Sequence, residues 1–351
     1  MGWLQIKMGM ETLIISLISG YLFSLLHIPL PWMLGPIAGV MAWRFITKRP
    51  LYWPIQLRQG ALVILGYMLG SSFTRETAIE TLGQLPYMFG STMLIVVVSM
   101  AMGYYVAKAA KVGGMSGFFG SVPGGLSQMV TLGEEVKGVD ATVVTFMQTI
   151  RVISVVFLVP FLTLNGFVGK GIDPVSSTVG SQLGTYLPVL AIVVAGAYIG
   201  QKLHFPVGYL TGSLLFSAIA AVSGLPTPHL PSIVIILSQV CIGAYIGLLM
   251  KANPSHDFKR LGILTVISSI ILVFLSLLIG VLLSKVNLIS IATGFLSTAP
   301  GGMAEMGITA SMVHADLSMV SAYQLFRVFF VMFAVPPLLK WWVKQRKHTT
   351  L

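Results

Sequence analysis

Acidic side chains are the scarcest chemical resource in this sequence. There are 10 aspartates and glutamates among 351 residues, and only 9% of the chain is charged at all. Soluble domains carry about 25% charged residues, so a water-soluble domain of ordinary composition is excluded. Cysteine is nearly absent: the single Cys241 lies in an apolar segment, which excludes disulfides and a cysteine metal cluster. The six histidines are dispersed, with no pair at i, i+4 and no Ser-His-Asp or phosphate-loop pattern. No metal, cofactor or catalytic set is therefore expected. A net charge of +11 raises nucleic acid as a partner, but the basic residues sit between apolar runs rather than on one patch. Positively charged cytoplasmic loops account for them more simply.

What the chain has instead is apolar length: 56% hydrophobic residues and a mean hydropathy of +0.90. This is the composition of an integral membrane protein. The first apolar run, "METLIISLISGYLFSLL" behind Lys7, has no small-residue cleavage site after it and reads as an uncleaved first span.

The chain is one unit written twice. A shift of 177 residues pairs Tyr21 with Tyr198, His27 with His204, Pro29 with Pro206 and Gly35 with Gly212. It also pairs Gly66 and Gly70 with Gly243 and Gly247, and Phe118, Pro123, Gly124, Gly125 and Met129 with Phe295, Pro300, Gly301, Gly302 and Met306. A shift of 176 then pairs Asp140, Gln148, Arg151 and Pro160 with Asp316, Gln324, Arg327 and Pro336. The repeats are expected at 1–170 and 171–351.

A membrane-spanning helix needs roughly 20 apolar residues. The first half offers five such stretches, near 9–26, 30–47, 56–73, 86–107 and 140–164. The second offers matching ones near 183–202, 206–223, 232–250, 261–284 and 316–339. Two Pro-Gly-Gly segments, 113–136 and 290–312, either cross the membrane or enter and return. If both return, sixteen lysines and arginines face the cytoplasm against Arg75, Lys170 and Lys285 outside. If both cross, the split falls to thirteen against six. The positive-inside rule favours the first arrangement. The expected fold is therefore an all-α polytopic membrane protein of two inverted-topology repeats. Each repeat has five transmembrane helices plus a re-entrant or broken helix, and both termini are cytoplasmic. Inverted repeats with interrupted helices are the build of many secondary transporters.

The broken segments read "GSVPGGLSQM" and "STAPGGMAEMG". Proline ends a helical half, glycine lets backbone approach a ligand, and the next half-helix offers amides at its positive end. Such an end suits an anion. Candidate substrate-binding residues are Ser121, Pro123, Gly124, Gly125, Ser127, Gln128, Gln148 and Arg151 in the first copy. In the second they are Thr298, Pro300, Gly301, Gly302, Glu305, Gln324 and Arg327. Arg151 and Arg327 fall about twelve residues into their spans, where an unpaired charge costs at least about 2.5 kcal/mol. Each belongs to a three-residue stripe, Thr145-Gln148-Arg151 and Ser321-Gln324-Arg327. A guanidinium fork there suits a bidentate carboxylate or phosphate, or else braces the broken segment. Glu305 replaces the neutral Gln128 of the first copy and is the candidate ligand for a coupling proton or sodium ion, with a salt bridge to either arginine as the alternative. Asp140 and Asp316 are expected to cap the helices they precede. Gly66-x-x-x-Gly70 and Gly243-x-x-x-Gly247 suit close helix packing, and Trp32, Trp43, Trp53, Trp341 and Trp342 suit the membrane interface.

"LHIPLPWMLGPIAG", "GSVPGGLSQM" with "QTIRV", and "STAPGGMAEMG" with "QLFRV" together resemble the AbrB-type bacterial membrane protein family, which is marked by a duplicated domain. The resemblance covers nearly the whole chain. It implies a prokaryotic inner-membrane protein, loosely similar to inverted-repeat symporters and exchangers for organic anions. Members carry labels of ammonia monooxygenase or regulator; neither follows from these residues, since oxygenation needs clustered His and carboxylate ligands. The expected function is secondary transport of a small anionic organic solute by alternating access, in the lipid bilayer and without nucleic acid. A homodimer is compatible with it. A membrane-bound oxidoreductase and a ligand sensor built on a transporter fold are the alternatives.

Overall fold

The computed structural model describes residues 3–124, 129, 139–166, 183–249, 258–287, 289–335 and 337. Among the described residues there are fourteen helices and no strand. They are α1 (Trp3–Leu25), α2 (Pro31–Thr47), α3 (Ile55–Gly70), α4 (Arg75–Gly83), α5 (Leu85–Ala109), α6 (Gly114–Ser121) and α7 (Ala141–Gly166). The second half gives α8 (Leu183–Lys202), α9 (Gly208–Val222), α10 (Ser232–Leu249), α11 (Phe258–Asn287), α12 (Ile291–Thr298), α13 (Met303–Met312) and α14 (Leu317–Phe333). Each of the ten stretches expected to span contains a helix. Among the described residues, five helices are long and apolar enough to cross a membrane: α1, α5, α7, α10 and α11. The protein is thus a membrane-type, all-helical chain. The short α4 was not foreshadowed by apolar length; it carries Arg75, Glu76 and Glu80 and buries none of its residues.

Two compact units form, each drawing on both halves of the sequence. The first holds α1 to α3, α8 to α10 and α13; the second holds α5, α6, α11, α12, and the stretches 141–158 of α7 and 322–333 of α14. Within the first unit α1 packs on α2 and α8 on α9, while α2 meets α10 and α3 meets α9. Within the second, α5 packs on α6 and α11 on α12, and α5 meets α11. Every pairing thus recurs between matching members of the two halves.

Glycine sets these distances. A Cβ on Gly66 or Gly70 would lie 1.9 Å from Ser213 Oγ or 2.1 Å from Ser217 Oγ on α9. A Cβ on Gly243 or Gly247 would lie 2.6 Å from Met33 O or 2.9 Å from Ile37 O on α2. The two G-x-x-x-G motifs therefore do pack helices closely. At the turns before α2 and α9, Leu30 and Val207 adopt φ of 49° and 51°, a left-handed conformation that costs a branched residue such as valine. The same left-handed turn recurs at two positions that the 177-residue shift pairs. On α1, Leu4, Met10, Ile14, Ile18 and Leu22 stay exposed, the face a lipid-contacting helix would show. The expected interfacial Trp53 is instead buried, and Trp341 and Trp342 lie outside the described residues.

Candidate functional site

A helix that ends inside an apolar body leaves its last four carbonyls without intrahelical partners. The second unit contains two such ends. The helix α6 stops at Ser121, and Val122 turns extended (φ −58°, ψ 126°) ahead of Pro123. Likewise α12 stops at Thr298, and Ala299 turns extended (φ −55°, ψ 133°) ahead of Pro300. Proline favours both turns, because its ring disfavours helical geometry at the preceding residue.

The freed carbonyls are taken up by the predicted Gln-Arg pairs. Gln148 Nε2 donates to Phe119 O at 2.9 Å and Val122 O at 3.0 Å. Arg151 Nη1 donates to Ser121 O at 2.8 Å and Val122 O at 2.7 Å, and its Nη2 donates to Gln148 Oε1 at 2.7 Å. In the second copy Gln324 Nε2 donates to Leu296 O at 2.7 Å and Ala299 O at 3.2 Å. Arg327 Nη1 donates to Ala299 O, and its Nη2 donates to Gly301 O at 2.6 Å and to Gln324 Oε1. All four side chains are buried. A guanidinium at the negative end of a half-helix is electrostatically matched, and each charge-assisted bond is worth about 1.5–3 kcal/mol.

These bonds show what the arginines do within the fold: they brace the breaks. Every described bond of both guanidiniums runs to a carbonyl or amide oxygen, while the two Nε atoms and Ser297 Oγ stay buried without a partner among the described residues. Thr145 and Ser321, the first members of each stripe, donate to Ala141 O and Leu317 O of their own helices and do not join the brace. Asp140 Oδ1 accepts from Thr142 N at 2.8 Å, and Asp316 Oδ1 from Met319 N at 3.0 Å, so both act as helix caps.

Pro123 and Pro300 are buried, whereas Gly124, Gly301 and Gly302 are partly exposed. The glycine backbone is thus the reachable part of each break. Gly125, Ser127 and Gln128 lie outside the described residues. Thr298 donates to Ser276 O at 2.9 Å. Glu305 is buried in the first turn of α13, where the helix dipole favours a carboxylate.

Two supporting features went unread in the sequence. Ser99 donates to Ser121 O, and its repeat mate Ser276 accepts from Thr298, so α5 and α11 each bond the half-helix beside them. Gly103 meets Gly117, and Gly280 meets Gly294, at distances that admit no side chain. The 177-residue shift pairs all of these residues and is the signal that marks them. Among the described residues, no three His, Cys, Asp or Glu side chains gather as a metal site would require.

The fold and this braced pair of breaks define an all-helical membrane-type protein with duplicated helix interruptions. The family described as "Transition state regulatory protein AbrB" matches residues 32–343, and the chain belongs to that AbrB family. It is 32% identical over 348 residues to "Uncharacterized protein YhjN" of Bacillus subtilis (strain 168), covering 92% of this chain and 90% of that protein. It is 27% identical over 331 residues to "Putative regulator AbrB" of Escherichia coli (strain K12), covering 92% and 93%.

Proposed function

We propose that the chain is a secondary transporter of a small, anionic organic solute in the prokaryotic inner membrane. It works by alternating access, with two inverted repeats, re-entrant Pro-Gly-Gly segments and cytoplasmic termini. The observation that carries this reading is the matched pair of helix breaks, each braced by its own buried glutamine and arginine. Backbone interrupted at membrane depth is tolerated where it is buried in protein or lines a wet cavity. In broken-helix transporters such backbone forms the substrate site near the midplane. The solute would meet the reachable glycines Gly124, Gly301 and Gly302, with the arginines as braces behind them.

The same geometry narrows the coupling ion. Where broken helices couple to sodium, half-helix carbonyl ends coordinate it. Here guanidiniums already fill those ends in α6 and α12. A fixed cation stands where the metal would, which favours a proton carried on Glu305 over sodium as the coupling species.

Reconstituted protein should take up small organic acids in response to a proton gradient, and replacing sodium by choline should change nothing. Glu305→Gln should lower gradient-driven uptake at least about tenfold while solute exchange persists, because only the coupled step needs the titrating carboxylate. Sodium-driven uptake that survives Glu305→Gln would overturn the coupling. Binding without any flux would overturn transport itself and favour a sensor, the role that the relative's name as a regulator would suggest.

Topology has its own check. Cysteines introduced at Gly138 and Lys251 should be labelled from the cytoplasmic side. Labelling from outside would mean that both Pro-Gly-Gly segments cross.

A further inference from the structure

The first unit holds a cavity of about 520 Å³ that belongs to neither break. It lies where helices end: the last turn of α3 and the two serines after it, the first two turns of α10, and the C-terminal end of α13. Its size falls within the usual range for small-molecule sites, about 300–1,000 Å³. The chemistry of its wall is specific. Tyr67 donates its hydroxyl to Pro228 O at 2.5 Å, and Ser71 donates to Met68 O at 3.1 Å. Ser72 donates to Leu69 O at 2.7 Å, and Ser311 to Ile308 O at 2.8 Å. These four hydroxyl protons are thus spent on backbone, and what those groups offer an occupant is oxygen lone pairs; Ser232, His229 and His314 also line the cavity.

A further polar group is Gln239 on α10. Its residue is only 7% exposed, and its amide makes no hydrogen bond among the described residues. This amide lines the cavity and is open to an occupant. Among its lining residues there is no carboxylate, ammonium or guanidinium. Apolar surface from Trp32, Ile235, Ile236 and Met312 completes the wall.

We infer that this cavity is a binding site for a small uncharged solute rich in hydrogen-bond donors, a polyol or sugar with one less polar face. The four acceptor oxygens favour hydroxyl donors over a carboxylate, and Ser232 with the imidazoles of His229 and His314 completes a polar wall suited to a solute that both donates and accepts. Gln239 supplies both a donor and an acceptor at the deep side, and the apolar wall takes the ring face. The site does not depend on transport at the breaks. Its occupant would nevertheless touch the C-terminal end of α13, the helix whose first turn carries Glu305.

The test is calorimetric titration of the purified full-length protein with myo-inositol, N-acetylglucosamine and glucuronate. At least one neutral probe should bind in the millimolar range or tighter, with glucuronate at least tenfold weaker. Gln239→Leu, which keeps size and helix propensity, should weaken the neutral probe tenfold or more. Ser71→Ala should weaken it less, and both variants should retain the parent's unfolding temperature. The inference is overturned if neither neutral probe binds, if glucuronate binds as well, or if both variants bind like the parent. Retention of lipid or detergent alone in the cavity would overturn it too.

Discussion

Arg327→Ala should reduce transport to background, and Arg151→Ala should leave a measurable remnant. The two braces look alike, but their redundancy differs. Ser121 O receives both Ser99 and Arg151, and Val122 O receives both Gln148 and Arg151. Removing Arg151 leaves Ser121 O one donor, Ser99, and Val122 O two, Gln148 and the backbone N–H of Gly124. Ala299 O is likewise shared between Gln324 and Arg327. Gly301 O is different, because no other described hydrogen bond reaches it besides that from Arg327 Nη2. Without Arg327 that carbonyl has no protein donor among the described residues, and a charge-assisted bond worth about 1.5–3 kcal/mol is lost with it. Gly301 stands at the junction that leads into α13, so the unmet carbonyl falls on the part of the break a solute would meet.

The expected ordering is therefore parent, then Arg151→Ala at about a tenth of parental uptake, then Arg327→Ala at background. Arg327→Lys should fall between the parent and the alanine variant. Its ammonium keeps the charge but lacks the planar fork that spans two carbonyls and a glutamine. The measurement is initial uptake in proteoliposomes, normalised to folded protein by size-exclusion yield. Equal activity in both alanine variants would break the redundancy argument, and full activity in both would remove the braces from function altogether.

Much of this site was legible in the sequence, for a definable reason. Gln148, Arg151, Gln324 and Arg327 stood out because polar residues are rare in apolar spans, so each one narrows the choice of partner. The spacing of three predicted that glutamine and arginine would act together, and Nη2 of each arginine does donate to the glutamine of its own stripe. What the pattern left open was the direction of the fork, toward a solute or toward the chain. Only coordinates decide that, because carbonyls carry no signature in the sequence. Thr145 and Ser321 fitted the stripe equally well, yet a hydroxyl in a helix easily bonds the carbonyl four residues back. The cavity beside Gln239 was invisible for a related reason: it is assembled from helix ends far apart in sequence, and serine and glutamine at such ends are common. The helices themselves were plain from apolar length. The exception was α4, whose polar composition carries no such signal.

The second large effect concerns glycine on one helix, α5. Gly103→Ala should unfold or disable the protein, and Gly90→Ala, thirteen residues earlier, should not. A Cβ at Gly103 would lie 2.1 Å from Ser121 Oγ and 2.3 Å from Gly117 O. The serine could rotate away, but the carbonyl is backbone of α6 and cannot. Relief requires α5 and α6 to separate, and α6 carries the carbonyls that Gln148 and Arg151 hold. Overpacking of this kind costs about 1–3 kcal/mol even where neighbours relax, and here the relaxation would also stretch the brace. At Gly90 a Cβ meets nothing within 4 Å. Alanine there should be neutral or stabilising by up to about 1 kcal/mol through helix propensity. The mirror substitution, Gly280→Ala, would place its Cβ 2.5 Å from Phe295 N on α12 and should match Gly103→Ala in severity. Thermal unfolding of the purified variants decides the matter alongside uptake. If Gly103→Ala and Gly90→Ala melt within a degree or two of each other, α5 and α6 are not held at the contact distance from which the geometry of the first break follows.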